Sequence, residues 1–292
     1  MVIKQQTAIV RRFNRSYTQR IGALEDSFLG MGMPLSHERL LYEIGSAPGA
    51  IQGLRARLGL DSGYLSRLLR RLESKGLAVV TEDPNDRRRR RVDLTPKGRT
   101  HWVELEKRSD ERARLLVDPL AERQRERLAR ALAEADLLVR AATVSLETVA
   151  PESETARKAV GHYFAEIGRR FGYVATGESE KDAKLLASPQ GAFVVAVSDG
   201  DPVACGGIQT IRDGVGEVKR MWVHDNWRGA GLGSRLLRHL EDVSRSLGHR
   251  MVRLDTNRAL NEAIGMYERA GYVRIARYND NPFATHFFER AL

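Results

Sequence analysis

At Ala150-Pro151 the periodicity of the sequence changes, and that break divides the chain into two differently built halves. Before it, apolar residues recur at helical spacing over most of the length. After it, short apolar runs such as Phe193-Val194-Val195-Ala196-Val197 alternate with Gly- and Pro-containing turns and amphipathic stretches. The expectation is two domains, 1–150 mainly α-helical and 151–292 α/β. With 292 residues in all, each half can bury its own core.

Charge follows the same division. Residues 1–150 carry 28 Lys and Arg against 20 Asp and Glu, and residues 151–292 carry 20 against 18. The basic excess therefore sits in the helical half, where a polyanion is the partner to look for and a merely solvated basic surface the alternative. The single cysteine, Cys205, excludes an internal disulfide framework and a multi-cysteine zinc site, and no metal site is expected. No apolar run approaches the roughly 20 residues that cross a bilayer. The N-terminal residues lack a signal-peptide core, so a cytoplasmic protein without membrane attachment is expected.

In the first half, helical spacing runs from Thr7 to Phe28, and a second helix is expected with Ser36 as N-cap and Leu40, Leu41 and Ile44 inward. A short helix at about 50–58, a turn at Gly59-Leu60-Asp61 and a longer helix to Lys75 come next, closed by Gly76. Within that longer helix Leu65, Leu68, Leu69 and Leu72 form one buried stripe, and Gly63, Ser66, Arg67, Arg70 and Arg71 occupy the other face. This is a helix-turn-helix pattern whose outer side chains can reach base edges or phosphates. Two strands, Leu77 to Glu82 and Arg90 to Leu94, are joined by the turn-forming Asp83-Pro84-Asn85-Asp86. Five consecutive arginines, Arg87 to Arg91, stand at or beside that tip, where a minor groove would accommodate them. Standing alone, such a run is commonly a solvated face; one hairpin after a recognition-type helix, it reads as a DNA contact. Thr95-Pro96 then starts a helix, and helical stretches are expected near 96–117 and 119–148.

Leu77 to Val80, Asp86-x-Arg88 and Val92-Asp93-Leu94-Thr95-Pro96-Lys97-Gly98 together resemble the wing of MarR-type winged-helix regulators. The resemblance covers about residues 5–148. It implies a two-fold homodimer on double-stranded operator DNA, built from the first helix and the last two. It further implies that Ser62, Tyr64, Ser66, Arg67 and Arg70 enter the major groove, that Asp86 and Arg88 brace the wing, and that Arg87, Arg88, Arg89 and Arg90 lie against DNA. Leu115, Leu116, Leu120, Leu128, Leu132, Leu137 and Leu138 also exceed what so small a domain needs for its own core.

In the second half the informative segment is Val223-His224-Asp225-Asn226-Trp227-Arg228-Gly229-Ala230-Gly231-Leu232-Gly233. A strand ends, a glycine-rich turn succeeds it, and a helix begins with Leu232, Leu236, Leu237 and Leu240 inward. Such a turn lets backbone N–H groups approach an anion at a helix N-terminus, and a pyrophosphate fits there. A P-loop is disfavoured because Ser234-Arg235, not Lys-Ser/Thr, comes after Gly233. A Rossmann turn is disfavoured because the motif lies deep in the domain rather than after its first strand.

Arg228-x-x-Gly231-x-Gly233 instead resembles the acetyl-CoA signature of GNAT acyltransferases. The preceding strand Glu217-x-Lys219-Arg220-Met221-x-Val223 and the later Asn261 to Tyr272 block agree with it. The resemblance spans about 155–292. It implies an α/β fold on a mixed, mostly antiparallel sheet, with acetyl-CoA held by residues 221–223 (Met221, Trp222, Val223), by Arg228, Gly229, Ala230, Gly231, Leu232, Gly233 and Ser234, and by Asn261 and Tyr267. An amine acceptor is protonated at neutral pH and must lose a proton before it attacks; Glu217 is the candidate base, acting through water. Tyr267 is the candidate donor to the departing thiolate. On spacing alone, Tyr267 reads equally as a packing aromatic and Glu217 as a strand-end surface carboxylate. Cys205 reads as a small buried strand residue. The tail 278–284 resembles a loop of GNATs acting on small amines and amino acids, with Asn281 and Phe283 bordering the acceptor and Arg220 facing a carboxylate.

Three functions stand as expectations: an operator-binding dimer that also acetylates a small amine or amino acid; a regulator whose second domain only senses acetyl-CoA or an amine; and a DNA-tethered protein lysine acetyltransferase.

Overall fold

The computed structural model describes residues 2–83, 89–172 and 180–292. Its contacts divide the chain into two compact units, 1–129 and 130–292.

The first unit holds α1 (Val2–Arg20), α2 (Leu35–Ser46), β1 (Gly49–Ala50), α3 (Ile51–Leu58), α4 (Ser62–Ser74), β2 (Ala78–Glu82), β3 (Arg90–Leu94), α5 (Pro96–Val117) and the start of α6 (Glu122–Thr143). The three strands form an antiparallel sheet in the order β1-β3-β2. Leu40, Leu41 and Ile44 of α2 and the four leucines of α4 are buried in one core with Val92 and Leu94 of β3. Helix α4 begins where the Asp61 side chain accepts from Tyr64 N (2.8 Å). It ends where Gly76, at φ 67°, bonds back to Glu73 O and Leu77 N bonds to Leu72 O.

The wing is locked to α5 at one close approach. Thr95 Oγ1 donates to Gly76 O (2.7 Å) and accepts from Gly98 N (3.0 Å), capping α5. A Cβ at Gly98 would stand 1.9 Å from the Leu77 carbonyl oxygen, so only glycine lets the helix come this near. The Leu94-Thr95-Pro96-Lys97-Gly98 string is thus a packing solution as much as a signature.

The second unit carries the rest of α6, β4 (Leu146–Val149), α7 (Glu154–Phe171), α8 (Glu180–Leu185), β5 (Gly191–Ser198), β6 (Asp201–Arg212), β7 (Val215–Val223), α9 (Leu232–Ser246), β8 (Met251–Thr256), α10 (Asn261–Arg269), β9 (Val273–Arg274) and β10 (His286–Ala291). Its seven-stranded sheet runs β4-β5-β6-β7-β8-β10-β9. The pair β7–β8 is parallel and the other pairs are antiparallel, as expected of a mixed sheet. One core gathers Val194, Val218, Val252, Leu254 and Phe288 against the buried leucines of α9. Another gathers Phe193, Val195, Cys205 and Trp222 with Ala156, Ala159 and Val160 of α7.

The structure departs from the sequence expectation in three places. Helix α1 ends at Arg20 rather than near Phe28, and α2 starts at Leu35 with Pro34 before it, so Ser36 lies inside the first turn instead of capping it. The helix expected to reach 148 stops at Thr143, and Leu146–Val149 pairs antiparallel with β5. The residues just before Pro151 therefore belong to the second sheet, and the division of contacts falls at 129/130, ahead of that proline.

Candidate functional site

A fork in the second sheet creates the site. Strands β7 and β8 pair from Val215↔Met251 to Val218↔Leu254, and there the pairing ends, although both strands continue. On the other edge of β7 the register to β6 passes from Gly207↔Lys219 to Cys205↔Trp222, one extra residue on β7. Arg220 takes up that residue at φ 53°, an uncommon conformation for a side chain of this size. Beyond the bulge, Met221 and Val223 lie on the part of β7 that pairs with β6 but no longer with β8.

Two clefts meet at this fork. The first, about 460 Å³, is lined by Met221, Trp222 and Val223, by Arg228, Gly229, Gly231, Leu232, Gly233 and Ser234, and by Tyr267. These are the expected cofactor positions except Ala230 and Asn261, which are not among its lining residues; Asn261 is exposed at the first position of α10. Gly229 and Gly231 sit at φ 80° and 82°, where other residues are strained, and turn the backbone into α9. Among the described residues no side chain caps that helix start, which leaves its first N–H groups to an anion.

Arg228 is anchored rather than extended. Its Nε donates to Val223 O (3.0 Å), Nη2 to Glu166 Oε1 (2.8 Å), and Nη1 pairs with Asp225 (2.5 Å). Glu166, buried on α7, also pairs with Arg169 and Arg170 (2.5 Å to the latter). Burial raises the Glu166 carboxyl, but the Arg228 and Arg170 guanidiniums outweigh it and hold it below the usual carboxylate range. The signature arginine therefore ties the glycine turn to α7 through a carboxylate that the sequence alone does not single out.

The second cleft, about 330 Å³, shares Tyr163, Met221 and Tyr267 with the first. Its lining includes Arg220, Asn281 and Phe283, the three expected acceptor residues, together with Lys219, Asp255, Phe164 and Phe171. Tyr267 stands at the junction, 6% exposed, its hydroxyl 3.8 Å from Met221 Sδ. Burial, reinforced by Tyr163 and Asp255, pushes its pKa well above the ordinary tyrosine value, so the proton stays on the oxygen.

Glu217 is not among the residues lining either cleft. It is 3% exposed, and its carboxylate accepts from Gln209 Nε2 (2.7 Å), Tyr278 Oη (2.7 Å) and Asn279 Nδ2 (3.0 Å), with Lys219 Nζ at 3.1 Å. Lys219 Nζ also donates to Asp255 Oδ2 (3.0 Å), which Asn279 reaches as well (2.6 Å); Asn281 Nδ2 donates to Oδ1 (2.9 Å). Burial alone would lower the Lys219 pKa; the carboxylates of Glu217 and Asp255 outweigh it and raise it. Tyr278 is likewise pushed up, by burial and by Glu217. The sequence carries a trace of this cluster, as charged residues at i and i+2 of two apolar strands (Glu217 and Lys219, Arg253 and Asp255). Only the parallel register shows that they converge.

Cys205 is buried, with its Sγ 3.5 Å from Arg220 O, and serves as core.

In the first unit, Ser62, Ser66, Arg67 and Arg70 are exposed on α4 and Tyr64 is half-buried, with the Arg67 guanidinium over its ring at 5.6 Å. A groove of about 390 Å³ runs between α4 and the wing, lined by Ser66, Arg70, Arg89 and Arg90 among others. Asp86, Arg87 and Arg88 lie outside the described residues.

Comparison with known proteins agrees with both units. The acetyltransferase (GNAT) family matches residues 162–272, and the MarR family matches residues 31–89. The chain belongs to the GNAT acetyltransferase family, and ahead of that region residues 31–89 match the MarR family. An IAA acetyltransferase of Azospirillum brasilense is 36% identical over 128 residues, 43% of this chain and 83% of the relative. The HTH-type transcriptional regulator SarZ of Staphylococcus saprophyticus is 33% identical over 98 residues, 34% of this chain and 56% of that protein. Among solved structures, a GNAT-family acetyltransferase of Staphylococcus aureus Mu50 is similar at 15% identity and a TM-score of 0.44, over 50% of this chain and 99% of that one. Among the described residues no helix is long and apolar enough to cross a membrane.

Proposed function

We propose that the chain binds double-stranded operator DNA as a homodimer through residues 1–150 and, through residues 151–292, transfers the acetyl group of acetyl-CoA to a primary amine of a small molecule. The observation that carries the second activity is the meeting of the two clefts at Met221 and Tyr267, one bounded by the glycine turn and the other by acceptor-type side chains. The residues fit acetyl-CoA: the uncapped start of α9 suits its pyrophosphate, and the edge of Met221–Val223 that β8 leaves open suits its amide-bearing arm. When bound, acetyl-CoA supplies the activated acetyl group. Arg228 and Glu166 hold the turn that receives it. The Tyr267 hydroxyl, protonated and shielded from water, would relay a proton to the departing sulfur while taking one from the newly acylated nitrogen, because a thiolate is too weak a base to strip so raised a phenol alone. Arg220, Asn281 and Phe283 border the acceptor, and a carboxylate on it would face Arg220.

For the first activity, support comes from the exposed Ser62, Ser66, Arg67 and Arg70 and from the groove that α4 shares with Arg89 and Arg90. Support for a dimer comes from apolar side chains that this unit leaves in solvent, among them Ile9, Val10 and Phe13 of α1 and Leu115 of α5.

Thiol release from acetyl-CoA, monitored with amino acids, polyamines, aminoglycosides and lysine peptides, tests the enzymatic reading. Release with a free small amine is the expected result. Release with lysine peptides alone would shift the substrate to protein. No release with any acceptor would leave a sensor.

A further inference from the structure

The carboxylate that faces the acceptor is not the one that family resemblance implies. Glu217 is enclosed by four donors and is not among the residues lining either cleft, whereas Asp255 lines the second cleft beside Tyr267. Their positions are dictated by the sheet. The last parallel pair is Val218↔Leu254, so Lys219 and Asp255 are the first residues past it, one on each arm of the fork. Side-chain alternation puts Glu217 and Lys219 on one face of β7, opposite Val218, which packs in the core with α9. Lys219 Nζ then bridges Glu217 Oε1 and Asp255 Oδ2, and Asn279 Nδ2 bridges the same two oxygens.

The outcome is a graded cluster. Glu217 is its inner member, with both oxygens occupied; one Lys219 charge is shared between two carboxylates, leaving the cluster one negative charge in excess. That excess is directed at the cleft, because Asp255 Oδ1 accepts from Asn281 alone among the described residues and keeps lone-pair capacity. A primary ammonium entering the cleft brings the charge and the donors that this oxygen lacks.

We infer that Asp255 binds the acceptor's ammonium through Oδ1 and takes its proton, and that Glu217 is a positioning residue acting on Asp255 through Lys219 and Asn279. The assignment rests on the acetyl-transfer reading above. The amine nitrogen gives up two protons in all. One passes to Asp255 Oδ1 and on to solvent, which frees the lone pair that forms the new N–C bond. The thioester C–S bond breaks, the sulfur leaves with the bonding pair and takes the proton of Tyr267 Oη, and the second nitrogen proton restores that hydroxyl. The products are one acetamide, one free thiol and one proton in solvent.

The test compares Asp255→Asn with Glu217→Gln in the full chain, using the acceptor of highest turnover from the amine panel. Two readouts are taken: steady-state thiol release, and calorimetric titration of the acceptor into protein saturated with CoA. Asp255→Asn is expected to lower kcat at least about a hundredfold and to weaken acceptor binding more than tenfold, with CoA affinity unchanged, since Asp255 does not line the first cleft. Glu217→Gln is expected to keep kcat within about tenfold and to raise the acceptor KM, the split that a positioning role produces. Should Asp255→Asn no longer bind CoA, Asp255→Glu carries the test: displacing the carboxylate by one methylene should raise the acceptor KM and leave the acetyl-CoA KM unchanged, and an unchanged acceptor KM overturns the assignment. A larger kcat loss in Glu217→Gln than in Asp255→Asn, or acceptor binding unaffected by Asp255→Asn, overturns it too while acetyl transfer itself stands. Wild-type protein inactive on every amine of the panel overturns the acetyl-transfer reading and the assignment together.

Discussion

The two candidate sites keep their charges in opposite conditions. On α4 and the wing, Arg67, Arg70, Arg89 and Arg90 are exposed, on surface that the four buried leucines of α4 do not need. At the fork of the second sheet, Glu217 and Glu166 are buried, Lys219 and Asp255 are part-buried, and all four are engaged with one another or with arginines. An exposed arginine costs the fold little and stays in reach of a polyanion. A buried cluster holds its dipoles fixed before any ligand arrives, which is what catalysis gains from preorganisation. Substitutions should therefore separate cleanly: those in the proposed DNA face should change binding and spare folding, and those in the buried cluster should change both.

The sharpest challenge is Lys219→Met. It strands the buried carboxylates of Glu217 and Asp255 without their shared cation, and the second unit should lose about 3–5 kcal/mol, read from urea denaturation. The raised Lys219 pKa fixes the sign with pH. The ion pair is fully present below the ordinary lysine value of 10.5 and is lost as pH climbs past the folded value, so wild-type stability should show no loss from this source at neutral pH. Gly98→Ala probes the first unit where it, too, is tightly packed. Forcing a Cβ against the Leu77 carbonyl should cost about 3 kcal/mol of unfolding free energy, and an unchanged midpoint would show that α5 can move away from the wing.

Tyr267→Phe should lower kcat about a hundredfold, roughly 2.7 kcal/mol of transition-state stabilisation, with little change in Tm because the hydroxyl's contact is a long one to Met221 sulfur. A large Tm loss would assign the phenol to packing. Arg70→Ala should have the smallest energetic effect: about 1–3 kcal/mol of discrimination between preferred and random duplex, by competition anisotropy, with Tm unaltered.

How much of the molecule is legible in the sequence depends on whether a feature is written along the chain or across it. The leucine stripe of α4, the Thr95-Pro96 cap and the glycines at 229 and 231 are local, and each appears in the structure where periodicity or turn chemistry puts it. Strand β4 reads as helix in the sequence because Ala141 and the leucines before it keep helical spacing until close to Thr143. Only pairing with β5 distinguishes Leu146–Val149 from a continuation of that helix. Asn261 is expected at the cofactor from its place in a family block, yet lies at the exposed start of α10. The convergence of Glu217, Lys219 and Asp255 needs the parallel register of β7 and β8, and the loop carrying Tyr278, Asn279 and Asn281 adds donors from far along the chain. Glu166 is silent in the sequence, because a single carboxylate on an amphipathic helix has no distinguishing mark until Arg228 reaches it.

The contrast between exposed and buried charge can be measured on one protein by raising salt from about 50 to about 200 mM. The full chain is assayed both for affinity to a duplex that it selects from a random-sequence library and for acetyl transfer to its best amine. If the four exposed arginines of each protomer neutralise one phosphate apiece, the dimer's DNA affinity should fall roughly ten-thousandfold, a slope of about −7.2 in log–log form, while kcat moves by less than about twofold. A flat DNA affinity, or a kcat that falls in step with it, would contradict the assignment of exposed charge to DNA and buried charge to catalysis.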